Sequence, residues 1–167
     1  MKAKYLLFGI MALALVSCDR IINGGKIWDI SPVVVTVQVV NANGIDLLNP
    51  DNQNSYAAGN IKAIYNGKEY ECNKNVSEAN TKAILAQFYG LKMDKNYVGT
   101  YNLFFGEFDG AKSYSNEEVT IFWGDGSSDK IKFSRKFRWT IFGDPDISEE
   151  RFLNGTKVSD RVIKIVK

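Results

Sequence analysis

The sequence predicts an all-β fold, a sandwich of about seven to nine short strands. Runs rich in β-branched and aromatic residues recur along the chain, separated by clusters of Asn, Asp, Gly and Pro. Asn-Gly pairs at 66–67 and 154–155 stand between such runs, and this dipeptide favours two-residue hairpin turns. No strongly amphipathic helical segment of ten or more residues is present. These three features favour packed sheets over a helical fold.

The first 17 residues have the composition of an export signal. Two lysines precede an uncharged, mainly apolar stretch at 5–16, and Cys18 follows it. A helix of that length spans ~18 Å, less than the ~30 Å hydrocarbon core of a bilayer. The ending Leu15–Cys18 resembles the lipobox of bacterial lipoproteins, whose cysteine is acylated before the leader is cleaved. We expect residues 1–17 to be a lipoprotein signal peptide and Cys18 to be the lipidation site; the alternative is an ordinary secretory signal or a short core helix with a chance cysteine.

A tether and a single domain are expected after the leader. Residues 18–31 comprise the lipidated Cys18 and a stretch that contains an Asn-Gly-Gly run. Residues 32–167 are long enough to form one β-sandwich domain without disulfides. Lipidation would leave Cys72 as the only thiol, and the chain has no histidine to activate it, so we expect a buried, unreactive side chain.

The charge balance argues against nucleic acid as a partner. Of the 21 basic residues two precede Cys18, whereas all 19 acidic residues follow it, so the remainder carries equal numbers of both signs. Nucleic-acid surfaces depend on clustered Lys and Arg, and the sequence has no long basic run. Catalytic candidates are few, since the chain has no histidine and no recognised spacing of Ser, Lys or carboxylates. We expect no enzymatic activity, no cofactor and no metal.

The first part of the domain contains one clear strand and one clear hairpin. Val33–Val40 is β-branched almost throughout and predicts a strand buried on both faces or nearly so. Asn41–Gly59 is rich in turn-forming residues and predicts a long connection whose Leu pair packs into the core. Ile61–Cys72 alternates on either side of its Asn-Gly turn, which places Tyr70 and Cys72 on one face of the hairpin.

The segment that follows, Asn73–Met93, is ambiguous. Ser77–Ala83 has the composition of a short helix, whereas Ile84–Tyr89 has that of a strand, so we expect a loop or one helical turn followed by a strand. Tyr97–Phe108 is rich in aromatic residues and predicts another strand.

The last third of the chain predicts two hairpins and a closing strand. Val119–Trp123 and Lys130–Phe133 flank a six-residue tip, Gly124–Asp129. The Asn-Gly pair at 154–155 predicts the turn of the final hairpin, and Arg161–Val166 predicts the closing strand.

The aromatic residues of this region allow two interpretations. Phe137–Ile141 predicts a further strand, and the alternation along these strands places four rings inward: Trp123, Phe133, Phe137 and Trp139. The favoured interpretation is core and cross-strand packing. The alternative is that some of the chain's aromatic side chains form a stacking platform for a sugar or a peptide.

Two acidic groups have the ligand chemistry of a calcium site. They are Asp125 with Asp129, and a second set of Asp144, Asp146, Glu149 and Glu150. Neither group has the spacing of an EF-hand loop. The favoured interpretation is that Asp and Gly make tight turns and that Ser148 caps a helical turn with the acids behind it.

Several motifs carry a resemblance over nearly the full length. With the lipobox, they are Asp46–Pro50, Tyr65–Tyr70, Phe104–Gly110, Trp123–Ser127, Leu153–Gly155 and Ile163–Lys167. The chain resembles a group of uncharacterised lipoproteins of the Bacteroidetes envelope, which implies an immunoglobulin-like sandwich and a place at the envelope but no activity. Trp123–Ser127 is also similar to a turn of polycystic-kidney-disease-type sandwich domains, although the His-x-Tyr strand of that pattern is absent.

We therefore expect a lipid-anchored envelope protein, located at the outer membrane, that acts as a non-catalytic binding module. Its partner would be a protein bound through a sheet edge or face, or a glycan bound through exposed aromatics. One alternative is a carboxylate-dependent polysaccharide hydrolase, which needs two acids facing each other in a cleft at ~5 to 10 Å. Another is a purely structural component of the envelope, which would have no apolar patch or cleft.

Overall fold

The structure is a computed structural model that describes residues 26–74 and 86–167. The predicted signal peptide, Cys18 and the helical turn expected at Ser77–Ala83 lie outside the described residues. No helix in the described part of the chain is long and apolar enough to cross a bilayer.

Ten strands of the described residues form two sheets, and the predicted all-β sandwich is confirmed. The first sheet has the order β10-β1-β5-β4, and the second has the order β3-β2-β6-β7-β8-β9. The only parallel pair among them is β1 with β10. The strands are β1 (Val33–Val40), β2 (Lys62–Tyr65), β3 (Lys68–Glu71), β4 (Gly90–Lys95), β5 (Tyr101–Phe108), β6 (Tyr114–Phe122), β7 (Ser128–Trp139), β8 (Pro145–Leu153), β9 (Thr156–Val158) and β10 (Val162–Val166).

The core lies between the sheets and is built by alternation along each strand. In β1 the buried face carries valines, whereas the opposite face is half-buried, so burial on both faces is only partial. The connection after β1 packs Leu47 and Leu48 into this core, as predicted. The innermost large side chains come from both sheets and include Leu103, Phe105, Ile121, Trp123, Ile131 and Phe133.

The Asn-Gly pairs at 66–67 and 154–155 form the predicted hairpin turns. Asn66 and Gly67 have φ of 49° and 73°, and Tyr65 pairs with Lys68 directly across the turn. Asn154 and Gly155 repeat this geometry with φ of 49° and 85°. Positive φ at both central residues is what a type I′ turn requires, and Asn-Gly is the dipeptide that tolerates it best.

A β-bulge in β5 explains an aromatic cluster that simple alternation does not predict. Val35 pairs with Phe105 but Val33 pairs with Phe108, so β5 contains one residue more than β1 between these two pairs. The bulge turns both phenylalanines inward, and their ring centroids are 5.9 Å apart. Rings from β2, β3, β6 and β7 surround them in mostly tilted or edge-on arrangements.

Three predicted boundaries before β7 are wrong. Residues 86–89 are not in a strand, because β4 begins only at Gly90. Phe88 instead packs against the rings of Phe105 and Phe108 in β5. The strand predicted at Tyr97–Phe108 begins at Tyr101, because residues 97–99 form the turn from β4. The β6–β7 loop is five residues long, at 123–127, since Ser128 already pairs with Phe122.

The region after the β6–β7 loop differs more from the sequence-based prediction. Phe137–Ile141 is not a separate strand, because residues 137–139 continue β7 without a break. Ser148 does not cap a helical turn; it lies in β8 opposite Lys136. The backbone groups around Ser148 form the hydrogen bonds of the β7–β8 ladder. Basic residues of β7 lie opposite the acids of β8 in this ladder.

The sandwich has two distinct ends. One end, called the tether end, carries the start of β1 and the β7–β8 loop at 140–144. The Lys26 ammonium lies 2.8 Å from Asp144 at this end, so the N-terminal segment runs along the loop. The opposite, distal end carries the β6–β7 loop and Lys167, whose backbone N–H donates to Val40.

Candidate binding site at the tether end

A cleft of about 460 Å³ opens at the tether end. The segment before β1 forms one wall with residues 28–31, and β7 and β8 form the floor. Arg161, which precedes β10, closes one side. Clefts of this size accommodate a small ligand or one large side chain. We call it the Arg135 cleft, after the residue at its floor.

The floor of the Arg135 cleft is a buried charge cluster. Arg135 continues the inward alternation of Ile131 and Phe133, and its side chain is only 5% exposed. It pairs with Glu149, the residue opposite it in the β7–β8 ladder. Arg151, also buried, donates to the second oxygen of Glu149 at 3.0 Å and to the carbonyl of Arg161 at 2.6 Å. One carboxylate therefore faces two guanidinium groups.

One donor in this cluster lacks a partner. Among the described residues, the Nε–H of Arg135 is buried and makes no hydrogen bond. Buried polar groups are normally paired, because an unpaired donor forfeits its hydration without compensation. The buried cluster at the floor thus combines a surplus positive charge with an unused hydrogen-bond donor.

The other walls are apolar and partly exposed. Trp28 and Ile147 are 43% and 40% exposed, and Pro145, the first residue of β8, lines the cleft beside them. The Lys26 ammonium lies 5.7 Å from the centroid of the Trp28 ring. An aromatic wall above a charged floor suits a ligand that has both a flat apolar face and an acidic group.

The position of the Trp28 wall depends on a close backbone approach. A Cβ atom on Gly110 would lie 2.1 Å from the carbonyl oxygen of Ser31. Gly110→Ala is therefore expected to lower the free energy of unfolding by about 1–3 kcal/mol and to displace the segment at 28–31. Urea unfolding measures the first effect, and acrylamide quenching of Trp28 in a Trp139→Phe background measures the second. The exposed neighbour Ala111→Ser should change neither, and unchanged quenching in Gly110→Ala would contradict the described contact.

The first predicted calcium group is engaged in other contacts. Asp125 accepts from the Ser127 N–H at 2.8 Å and from the Tyr56 hydroxyl at 2.9 Å, and these hydrogen bonds, Ser127 foremost, lower its pKa to about 2. Burial acts to raise the pKa of Asp129, but hydrogen bonds from Lys167, Asn154 and Trp123 outweigh it and lower the pKa. Asp125 and Asp129 thus anchor the β6–β7 loop.

The second predicted calcium group is divided by β8. Alternation places Asp146 and Glu150 on the face opposite Glu149, so the acids do not converge. Each has a basic partner: Arg138 for Asp146, Lys157 for Glu150 and Lys26 for Asp144. In residues 26–74 and 86–167, no three acidic, Cys or His side chains are grouped as a metal site would require.

The aromatic residues predicted to face inward divide into two pairs. Trp123 and Phe133 are buried, as predicted. Phe137 is half-buried and Trp139 is 53% exposed, so the prediction for Trp139 is wrong. The reason is the length of β7, which has 12 residues, whereas β1 and β5 of the facing sheet have 8 each. The end of β7 therefore extends beyond the facing sheet, and the Trp139 side chain is exposed there.

Cys72 is half-buried against the core, and burial raises its pKa to about 11. Because the thiolate is the reactive form, the native thiol should react with iodoacetamide at pH 8 about 100-fold more slowly than the same thiol in urea. The rates are measured by mass spectrometry of a Cys18→Ser variant, in which Cys72 is the only thiol. Equal rates in buffer and in urea would contradict this environment.

Comparison with known proteins gives no match: no family model, curated protein or solved structure is significantly similar to the chain. The geometry of the Arg135 cleft and the motifs of the sequence are therefore the features that bear on function.

Sequence reasoning identified only part of this site. The sequence predicts Glu149 only as a member of an acidic group. No motif marks Arg135 and Arg161, which line the cleft, or Arg151, which donates to Glu149. One signal was available: an arginine follows Ile131 and Phe133 at the next inward position of the same strand.

Proposed function

We propose that the protein is a lipid-anchored, non-catalytic binding module of the cell envelope, and that the Arg135 cleft binds an acidic sugar of a glycan partner. The observation that carries this proposal is the buried cluster of two guanidinium groups and one carboxylate, with an unpaired donor, at the floor of an open cleft.

The charge of the floor favours an anionic group. Removing ions from water is costly unless opposite charges compensate them, and Glu149 compensates only one of the two buried arginines. A carboxylate that enters the cleft would supply the missing charge and accept charge-assisted hydrogen bonds. The Trp28 ring offers a flat surface against which a sugar ring can pack.

The carboxylates of the cleft do not favour hydrolysis. Asp29 and Glu149 both line it, which is the minimum that a glycosidase needs. However, both oxygens of Glu149 accept from guanidinium groups. A general acid must present a transferable proton to the leaving group, and this arrangement leaves neither oxygen free for that role.

Binding is tested with the processed protein in detergent, probed with uronic-acid oligosaccharides and their neutral counterparts. The acidic probes are expected to bind, and Trp28→Ala or Arg161→Ala should weaken binding about tenfold or more. Trp139→Ala and Arg138→Ala are matched controls, since both residues are exposed and neither lines the cleft. Equal binding of neutral probes, binding of acidic peptides alone, or release of shortened sugars would overturn the assignment.

The lipid anchor is tested separately by mass spectrometry of the protein expressed from residues 1–167, with its predicted signal peptide. The expected N-terminal residue is Cys18 carrying acyl chains, because the Leu-Val-Ser-Cys ending has the pattern of a lipobox. Cys18→Ser should move the protein from the membrane fraction to the soluble fraction. An unmodified Cys18 in the wild-type product would contradict the anchor.

A further inference from the structure

Exposed apolar side chains concentrate at the tether end. Of the twelve exposed large hydrophobic side chains among the described residues, six lie in the segment before β1 or around the β7–β8 loop. We call this set the apolar tip: Ile27, Trp28, Trp139, Ile141, Phe142 and Ile147. The loop residues Ile141 and Phe142 are 82% and 70% exposed, so neither is needed for the core of the domain.

The N-terminal segment places this tip close to the expected anchor. Lys26 is held 2.8 Å from Asp144, inside the β7–β8 loop. Only residues 19–25 separate Lys26 from Cys18. Even a fully extended chain of this length spans less than about 30 Å. A lipid attached at Cys18 therefore keeps the apolar tip within reach of the membrane surface.

We infer that the apolar tip lies in the interfacial region of the bilayer that holds the anchor. This inference rests on the proposed lipidation of Cys18 and adds an orientation to it: the β7–β8 loop faces the lipid, and the distal end points away. Aromatic side chains such as Trp139 and Phe142 suit this region, because they have large apolar surfaces and tolerate partial hydration.

The charges around the tip support contact with lipid through apolar groups. Lys26 is paired with Asp144 and Arg138 with Asp146, so these charges are already compensated within the loop region. Lys112, in the neighbouring β5–β6 turn, is likewise paired with Asp109. We therefore expect contact with zwitterionic lipid and little dependence on salt. The mouth of the Arg135 cleft would then open near the lipid headgroups, since Trp28 and Ile147 belong to the cleft and to the apolar tip.

Depth-dependent fluorescence quenching tests this orientation. Trp28→Phe and Trp139→Phe are combined in the acylated full-length product, which leaves the buried Trp123 as a common reference. Two probes are then compared in this background, Phe142→Trp at the tip and Tyr97→Trp at the distal end. Both replace an exposed aromatic side chain. The proteins are reconstituted in phosphatidylcholine vesicles that carry brominated acyl chains.

The tip probe is expected to be quenched at least about threefold more strongly than the distal probe, at low and at high salt. Flotation with the vesicles and the mass of the acylated N-terminus verify the anchor in the same samples. Equal quenching of both probes in an anchored protein would overturn the orientation and leave the anchor intact. A stable dimer that shields the tryptophan introduced by Phe142→Trp from the lipid would also overturn the orientation and leave the anchor intact. An unacylated Cys18 would overturn both proposals.

Discussion

Glu149→Ala is expected to lower the free energy of unfolding by about 3–5 kcal/mol. Among residues 26–74 and 86–167, the substitution removes the only carboxylate that pairs with the buried guanidinium groups of Arg135 and Arg151. Two charges would then lie in the interior without an acidic partner, and breaking a buried pair in this way is far more costly than losing a surface pair. Urea unfolding monitored by tryptophan fluorescence measures the loss.

The adjacent Glu150→Ala is the matched control. Glu150 lies on the opposite face of β8 and pairs with Lys157, and both side chains are more than half exposed. Exposed ion pairs contribute little because solvent screens them, so the unfolding midpoint should hardly change. Similar effects for both substitutions would contradict the buried cluster.

A triple variant separates stability from binding. Arg135→Met, Glu149→Leu and Arg151→Met together replace the cluster by apolar side chains, and buried ion pairs can often be exchanged in this way at little cost in stability. The triple variant is therefore expected to be more stable than Glu149→Ala but unable to bind an acidic sugar. Retained binding would show that the cluster does not recognise the ligand.

Local chemistry explains which parts of the fold were predictable. The β-branched run of β1 and the two Asn-Gly turns are encoded by neighbouring residues, and each lies where the sequence placed it. In the same way, Leu47 and Leu48 are apolar residues in a polar loop and have no favourable place outside the core.

Long-range pairing decided what local chemistry did not. The β5 bulge exists only in relation to β1, and the length of β7 depends on its partner β8. Ser148 followed by two acids has the pattern of a helix start, but the ladder with β7 and its basic residues overrides that preference. The cleft is equally nonlocal, because its residues come from the segment before β1, from β7 and β8, and from the approach to β10.

At the distal end, Asp129→Ala is expected to lower the free energy of unfolding by about 3 kcal/mol, since three donors would lose a charged acceptor. The carboxylate accepts from the buried Trp123 indole at 2.7 Å and from the Asn154 amide at 2.7 Å. Lys167 lies 2.6 Å away and completes the network. Asp125→Ala, in the same loop but with an exposed carboxylate, is the control and should have a much smaller effect.

The pH dependence of this loss identifies its electrostatic part. The pKa of Asp129 is lower in the folded protein than the ordinary value of about 3.9, so the unfolded chain binds the proton more readily. The stabilisation is therefore complete above about pH 5 and disappears as the pH falls through the folded pKa. The difference between wild type and Asp129→Ala should shrink steadily from pH 5 to pH 3, measured by urea unfolding at each pH. A difference that stays constant over this interval would mean that packing around Trp123, rather than the ionised carboxylate, accounts for the loss.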